Sequence, residues 1–402
     1  MTELLWPGDE RAGEICSTAS VLRALVRVEE AWLGILVEFA IAPAAAAGSL
    51  TGLVGPDDLP SVAAAAEAGG NPVIPLVALL RERLGEEAAL WLHRGLTSQD
   101  VLDTALVCCL AEASDHVEDL VAAQARCVAG LAREHRDSVM AARTLTQYAV
   151  PSTFGLKAVS WLDGLASATT RLRTARSAMA VQVGGAAGTL SALAALAGPD
   201  RSPLAIGEAL ADRLGLLPAR PWHTDRGTLT TLADALVAHG DAWGRIAGDV
   251  ALLSRPEIAE VAEEVGGGSS TMPNKANPVL SILVRRHAMW APHIGALLHS
   301  AAGMYVDERP DGAWHVEWDA LRLLGRRTVV AASQAADLLG GLRVDAERMA
   351  ARAREASSDL LAEQRSVSSL LPAGADGSYL GVSGELVDQG LMRAADVWEE
   401  LR

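Results

Sequence analysis

Residues 266–278 read GGGSSTMPNKANP. Three glycines give that stretch backbone freedom, two serines bring hydroxyls, and Lys275 and Asn277 bring a charge and directional donors just before a helix that opens on proline. Such a loop suits the closing of an active site over a carboxylate, and the N–H groups of the helix start would favour an anion. Lys275 is notable because the chain has only two lysines, the other being Lys157, among 34 basic residues. Codon bias explains the preference for arginine, but the two cations are not interchangeable in tight sites.

Two further segments carry polar groups at regular spacing. Residues 93–104 read HRGLTSQDVLDT, a loop entering a helix with Thr97 or Ser98 as the N-cap. Residues 143–151 read RTLTQYAVP. Thr97 and Ser98 offer hydroxyls for a carboxylate, Thr144 and Gln147 offer neutral hydrogen bonds, and Arg143 serves either as a ligand or as a structural ion pair. Asn71, in a GGNP turn, is a substrate contact or a turn residue.

These three blocks, in this order, resemble those of the fumarase/aspartase superfamily. Residues 268–278 match every fixed position of its signature GSSxMPxKxNP, residues 93–104 resemble HxGxTSxDxxDT, and residues 143–151 are similar to RTHxQxAxP with Leu145 in place of the histidine. The fumarases pair that histidine with a glutamate seven residues after the loop lysine, where this chain has Ile282. Residues 151–157 (PSTFGLK) and 308–318 (ERPDGAWHVEW) resemble segments of the 3-carboxy-cis,cis-muconate cycloisomerase branch, which also lacks the histidine.

The resemblance implies cofactor-independent chemistry on a small polycarboxylate, with a proton moved alpha to a carboxylate: either formation and opening of a carboxymuconolactone, or a sister elimination from a substituted succinate. A non-catalytic helical scaffold is the remaining reading, and the intact loop residues speak against it. Ser269 is the candidate general acid and base, with Ser270 next to it as the other serine. Lys275 and Asn277 hold the reacting carboxylate, Met272 lies in the same loop, and Arg309, in the branch-specific segment, grips an additional carboxylate. The resemblance also implies a homotetramer whose sites are shared between subunits.

The elements that must position these residues are helices. Half of the chain is hydrophobic but only 4% is aromatic, so the core is built from Ala, Leu and Val, and Ala and Leu are strong helix formers. Apolar spacing predicts long helices over 17–39, 98–136, 151–183, 226–253, 278–304 and 311–339. The expected fold is an all-α, elongated long-helix bundle of three domains, 1–95, 96–340 and 341–402, the last one contracted.

Fifty acidic residues against 34 basic ones leave a formal charge of -16, which argues against a nucleic-acid binder. No apolar run of membrane-spanning length and no signal peptide is read, and Cys16, Cys108, Cys109 and Cys127 lack metal-like spacing, so a reduced cytoplasm is expected. His287, His293 and His299 recur every six residues and share no helical face, so neither metal nor cofactor is expected.

Overall fold

The computed structural model describes residues 3–264, 266–268, 271–272, 275–309, 311–370 and 379–401. Helices dominate: Thr18–Glu38, Ser98–Glu134, Phe154–Ser177, Gly227–Leu253, Val279–Ala302 and Gly312–Gly340 are the long ones, with Ser383–Val397 near the C-terminus. Among the described residues four short strands form two antiparallel pairs, β1 (Val139–Thr144) with β2 (Gln147–Thr153) and β3 (Val261–Glu263) with β4 (Leu342–Val344).

One expectation fails at Pro151. It was read as a helix start, but it pairs with Ala141 inside the β1–β2 hairpin. The cap lies two residues later, where Thr153 Oγ1 accepts from the Leu156 N–H at 3.2 Å. The helix then ends at Ser177 rather than 183: a turn at Ala178 follows, and Ala180 makes an isolated bridge to Leu217.

The chain forms two compact units. The first comprises Met1–His116, Leu172–Leu236 and Ala291–Val330. Its core includes Leu25, Trp32, Ile35 and Leu36 on one helix and Val101, Ala105 and Leu106 on another, all essentially buried. Trp32 is large and polar at one end, and its Nε1 donates to the Arg94 carbonyl at 2.7 Å, which fixes the start of the first block.

The second unit comprises Val117–Arg171, Val237–Trp290 and Ala331–Arg402. Val121, Ala125, Val128 and Ala132 recur at helical spacing and are fully buried. Gln124 joins three helices there: its Nε2 donates to the Ala332 carbonyl at 2.8 Å and its Oε1 accepts from Trp243 Nε1 at 2.7 Å. At Gly390 a Cβ would meet Val159 Cγ1 at 2.1 Å, so only glycine lets helix Ser383–Val397 approach helix Phe154–Ser177 so closely.

Candidate active site

The first unit carries the first block. Helix Ser98–Glu134 starts after Thr97, so Thr97 is the N-cap. Asp100, at the third helical position, turns back to accept the Thr97 N–H at 2.9 Å, the carboxylate half of a capping box. The Asp100 carboxylate is buried and also accepts from Gly184 N and Gly185 N at 2.9 Å each, Gln182 Nε2 at 3.3 Å and His223 Nε2 at 2.8 Å. Five donors satisfy a charge that burial would otherwise penalise heavily. Thr97 and Ser98 are half-buried, and among the described residues their hydroxyls have no hydrogen-bond partner. Two unengaged hydroxyls at a helix N-terminus can receive a carboxylate.

One turn along the same helix, Asp103 belongs to a second buried cluster. Arg226 donates to it from both Nη atoms, at 2.7 and 3.1 Å, and to Glu317 at 2.6 and 3.0 Å. The guanidinium lies over the rings of Trp222 and Tyr305, 4.9 and 5.3 Å from their centroids. Burial pushes the Glu317 carboxyl above its ordinary value, although Arg226 pulls the other way. Trp314 Nε1 donates to Asp103 at 2.9 Å. The segment holding Arg309, Trp314 and Glu317 is therefore fastened to the helix that begins at the first block. Arg309 is half-buried and has no ion-pair partner among the described residues. His315 instead bonds the Gly70 carbonyl at 2.8 Å, and Asn71 Oδ1 accepts from Val73 N at 3.1 Å, a turn role.

The second unit carries the other two blocks. Thr144 and Gln147 are paired across a two-residue turn, whose residues Leu145 and Thr146 have φ of 49° and 72°. Positive φ at both positions matches the twist of a tight hairpin and costs two side-chain-bearing residues some strain. Thr144 and Gln147 stand exposed on either side of it, with Gln147 Nε2 reaching only its neighbour Thr146 Oγ1 at 3.3 Å. Arg143 faces elsewhere: it donates to the fully buried Glu260 at 3.1 and 3.3 Å, and Arg352 approaches the same carboxylate at 3.1 Å. The structural ion pair is the reading of Arg143 that its contacts favour.

In the glycine loop, Gly267 and Asn277 exchange backbone hydrogen bonds at 2.8 and 2.9 Å, closing the base. Asn277 Nδ2 donates to the Gly268 carbonyl at 3.3 Å, and the Lys275 N–H donates to the Met272 carbonyl at 3.1 Å. Met272 and Lys275 are exposed, and Lys275 Nζ has no ion-pair partner among the described residues. Ser269 and Ser270 lie outside the described residues.

The helix start after the loop differs from expectation. Its anion is supplied by the chain: Glu263 accepts from Leu280 N at 3.1 Å, Ser281 N at 2.8 Å and Ser281 Oγ at 2.7 Å. Those donors are already satisfied within the chain.

Sequence reading missed His223, Arg226, Glu260 and Glu263 as supporting residues, and met Glu317 only as a letter of the 308–318 segment, without a partner. Of these only Glu317 lies inside a helix; the others sit in loops, just before a helix or on β3, where no periodic pattern names a partner.

A protein-family model described as a lyase matches residues 67–290. Over 344 residues the chain is 40% identical to the 3-carboxy-cis,cis-muconate cycloisomerase of Bradyrhizobium diazoefficiens, covering 83% of this chain and 75% of that protein. It is also 40% identical over 347 residues to the nitrosuccinate lyase of Streptomyces davaonensis, covering 83% and 73%. The crystal structure of 3-carboxy-cis,cis-muconate lactonizing enzyme from Pseudomonas putida superposes with a TM-score of 0.84 at 29% identity, over 96% of this chain and 97% of that one.

Proposed function

We propose a reaction for this chain from one premise: it belongs to the fumarase/aspartase superfamily of lyases, on the 3-carboxy-cis,cis-muconate cycloisomerase branch. The reaction is the cofactor-independent interconversion of 3-carboxy-cis,cis-muconate and a carboxymuconolactone, in the breakdown of aromatic acids through protocatechuate. The observation that carries it is the pair Leu145 and Ile282, apolar and 96% and 51% exposed. Neither side chain holds a proton, so no His–Glu relay operates and the acid–base work falls to the loop.

In lactone formation a carboxylate oxygen adds to one carbon of a double bond while Ser269 delivers its proton to the neighbouring carbon, alpha to a second carboxylate. In reverse, Ser269 takes that proton back, the C–O bond breaks and its electron pair leaves with the carboxylate. Charge builds on the second carboxylate in the transition state, where Lys275 and Asn277 stabilise it. Thr97 and Ser98 receive another carboxylate, and Arg309 the third. Thr144, Gln147, Ser270 and Met272 complete the contacts, and Arg143 braces the hairpin through Glu260. The unengaged groups on Thr97, Ser98, Lys275 and Arg309 support this reading.

The assembly is a homotetramer of three-domain chains in the cytoplasm, with each site drawn from several subunits. A second reading rests on the Streptomyces davaonensis relative: nitrite, an amine or another group leaves a substituted succinate. Ultraviolet assays of the purified protein separate the two. Turnover of carboxymuconate is expected. Nitrite release from nitrosuccinate without carboxymuconate turnover would transfer the assignment to the second reading, and inactivity on both would remove both.

A further inference from the structure

Outside these roles the second unit contains a cavity of about 250 Å³, lined in part by Arg143, Ser152, Lys157, Ser160, Arg245 and Asp249. Thr144, Gln147, Met272, Lys275 and Asn277 do not line it. We propose that this cavity is a second binding site, separate from the catalytic one, for a small oxyanion carrying two negative charges: inorganic phosphate or a short dicarboxylate.

Charge and hydrogen-bond accounting point the same way. Three cations meet one carboxylate in the lining. Arg143 is balanced by Glu260, which is not part of the wall. Asp249 faces both remaining cations, at 3.0 Å from Arg245 Nε and 3.6 Å from Lys157 Nζ. One positive charge is left over. Asp249 also accepts from Trp161 Nε1 at 2.8 Å, on the same Oδ2 that Arg245 holds, so that oxygen is engaged while Oδ1 faces Lys157.

The donors are not used. Lys157 Nζ makes no hydrogen bond among the described residues beyond that long ion pair, although its side chain is only 23% exposed. Arg245 commits Nε alone and leaves both Nη atoms without a partner among the described residues. Among the described residues the Ser152 hydroxyl is unengaged, whereas Ser160 spends its one O–H on the Lys157 carbonyl at 2.7 Å and offers the cavity no free donor. Open N–H donors on Lys157 and Arg245, an open hydroxyl on Ser152 and a net positive charge match an oxyanion better than a cation or an apolar ligand. Its volume accommodates phosphate or succinate and leaves little room for a nucleotide. The inference is independent of which reaction the loop carries out.

Calorimetric titration of the intact protein with phosphate and, separately, with succinate tests it, with ionic strength held constant by chloride. Saturable binding of at least one anion is expected, and the arm that saturates identifies the source. Removing a charged partner of a bound anion typically costs enough for a loss of at least about tenfold, so Lys157→Met and Arg245→Met should each weaken binding by that much while Lys157→Arg retains it. Asp249→Asn should tighten binding, because it removes the one opposing charge and keeps an acceptor for Trp161. That direction distinguishes a site from general damage to the fold. No saturable heat with either anion, binding unaffected by Lys157→Met, or weakening in Asp249→Asn would each overturn the proposal.

Discussion

Thr97 owes its place to a residue that needs no contact with substrate. Asp100 fixes the Thr97 N–H and, with its other contacts, ties residues 182–185 and His223 to the helix start. Both acids of the first block were visible as letters of a motif, but His223 is 123 positions away from Asp100. Such pairings are made by the fold and leave no periodic trace in the chain. Ser269→Ala should lower turnover by about 10²–10⁴-fold, the usual contribution of a general acid or base, with substrate affinity nearly unchanged because Lys275 and Asn277 remain. Turnover within a few-fold of the parent would remove Ser269 from that role. Arg309 is expected to sort substrates by charge. Arg309→Met leaves a third carboxylate unpaired, a loss of about 2–5 kcal/mol, while a simple succinate derivative loses little. Binding of both substrates to both proteins checks this, and equal losses would make Arg309 structural or a ligand to a carboxylate that all substrates share.

At the scale of elements, the long helices were legible because their apolar spacing persists over many turns. Helix Gly227–Leu253 falls within one residue of its expected start at 226. The hairpin was not legible: Pro151 is a good first-turn residue, and only the pairing with β1 reveals the strand. Nor was the cap on helix Val279–Ala302, since Glu263 lies on the far side of the glycine loop from the helix it serves. Glu263→Ala should cost about 1–2 kcal/mol and lower the melting temperature, with Glu263→Gln recovering part of it. An unchanged melting temperature for the alanine variant would mean solvent replaces the cap without loss. The Arg226 cluster makes a prediction about pH. Burial raises the Glu317 carboxyl above its ordinary value, against the pull of Arg226, so between the unfolded and the folded value the folded chain binds a proton more readily than the unfolded one. Its contribution is fully present below the ordinary carboxylate value, and stability declines as pH rises through the folded value. Glu317→Gln should flatten that decline. Melting curves between about pH 4 and pH 8 with identical slopes for the two proteins would exclude Glu317 as its source.

For the molecule as a whole, exposed apolar side chains along helix Val279–Ala302, among them Ile282, Met289 and Leu297, suit burial against other copies. Light scattering at micromolar concentration should give a tetramer, and an active monomer would refute shared sites. No described helix is long and apolar enough to cross a membrane. The scarcity of lysine has a consequence for handling the protein. A protease that cuts only after lysine meets two bonds in the chain, one within helix Phe154–Ser177 and the other after the exposed Lys275. Helical backbone resists cleavage and exposed loops invite it, so the first nick falls in the signature loop. Its rate, read from the appearance of two fragments, becomes a gauge of how often that loop is accessible, and a ligand that closes the loop registers as protection.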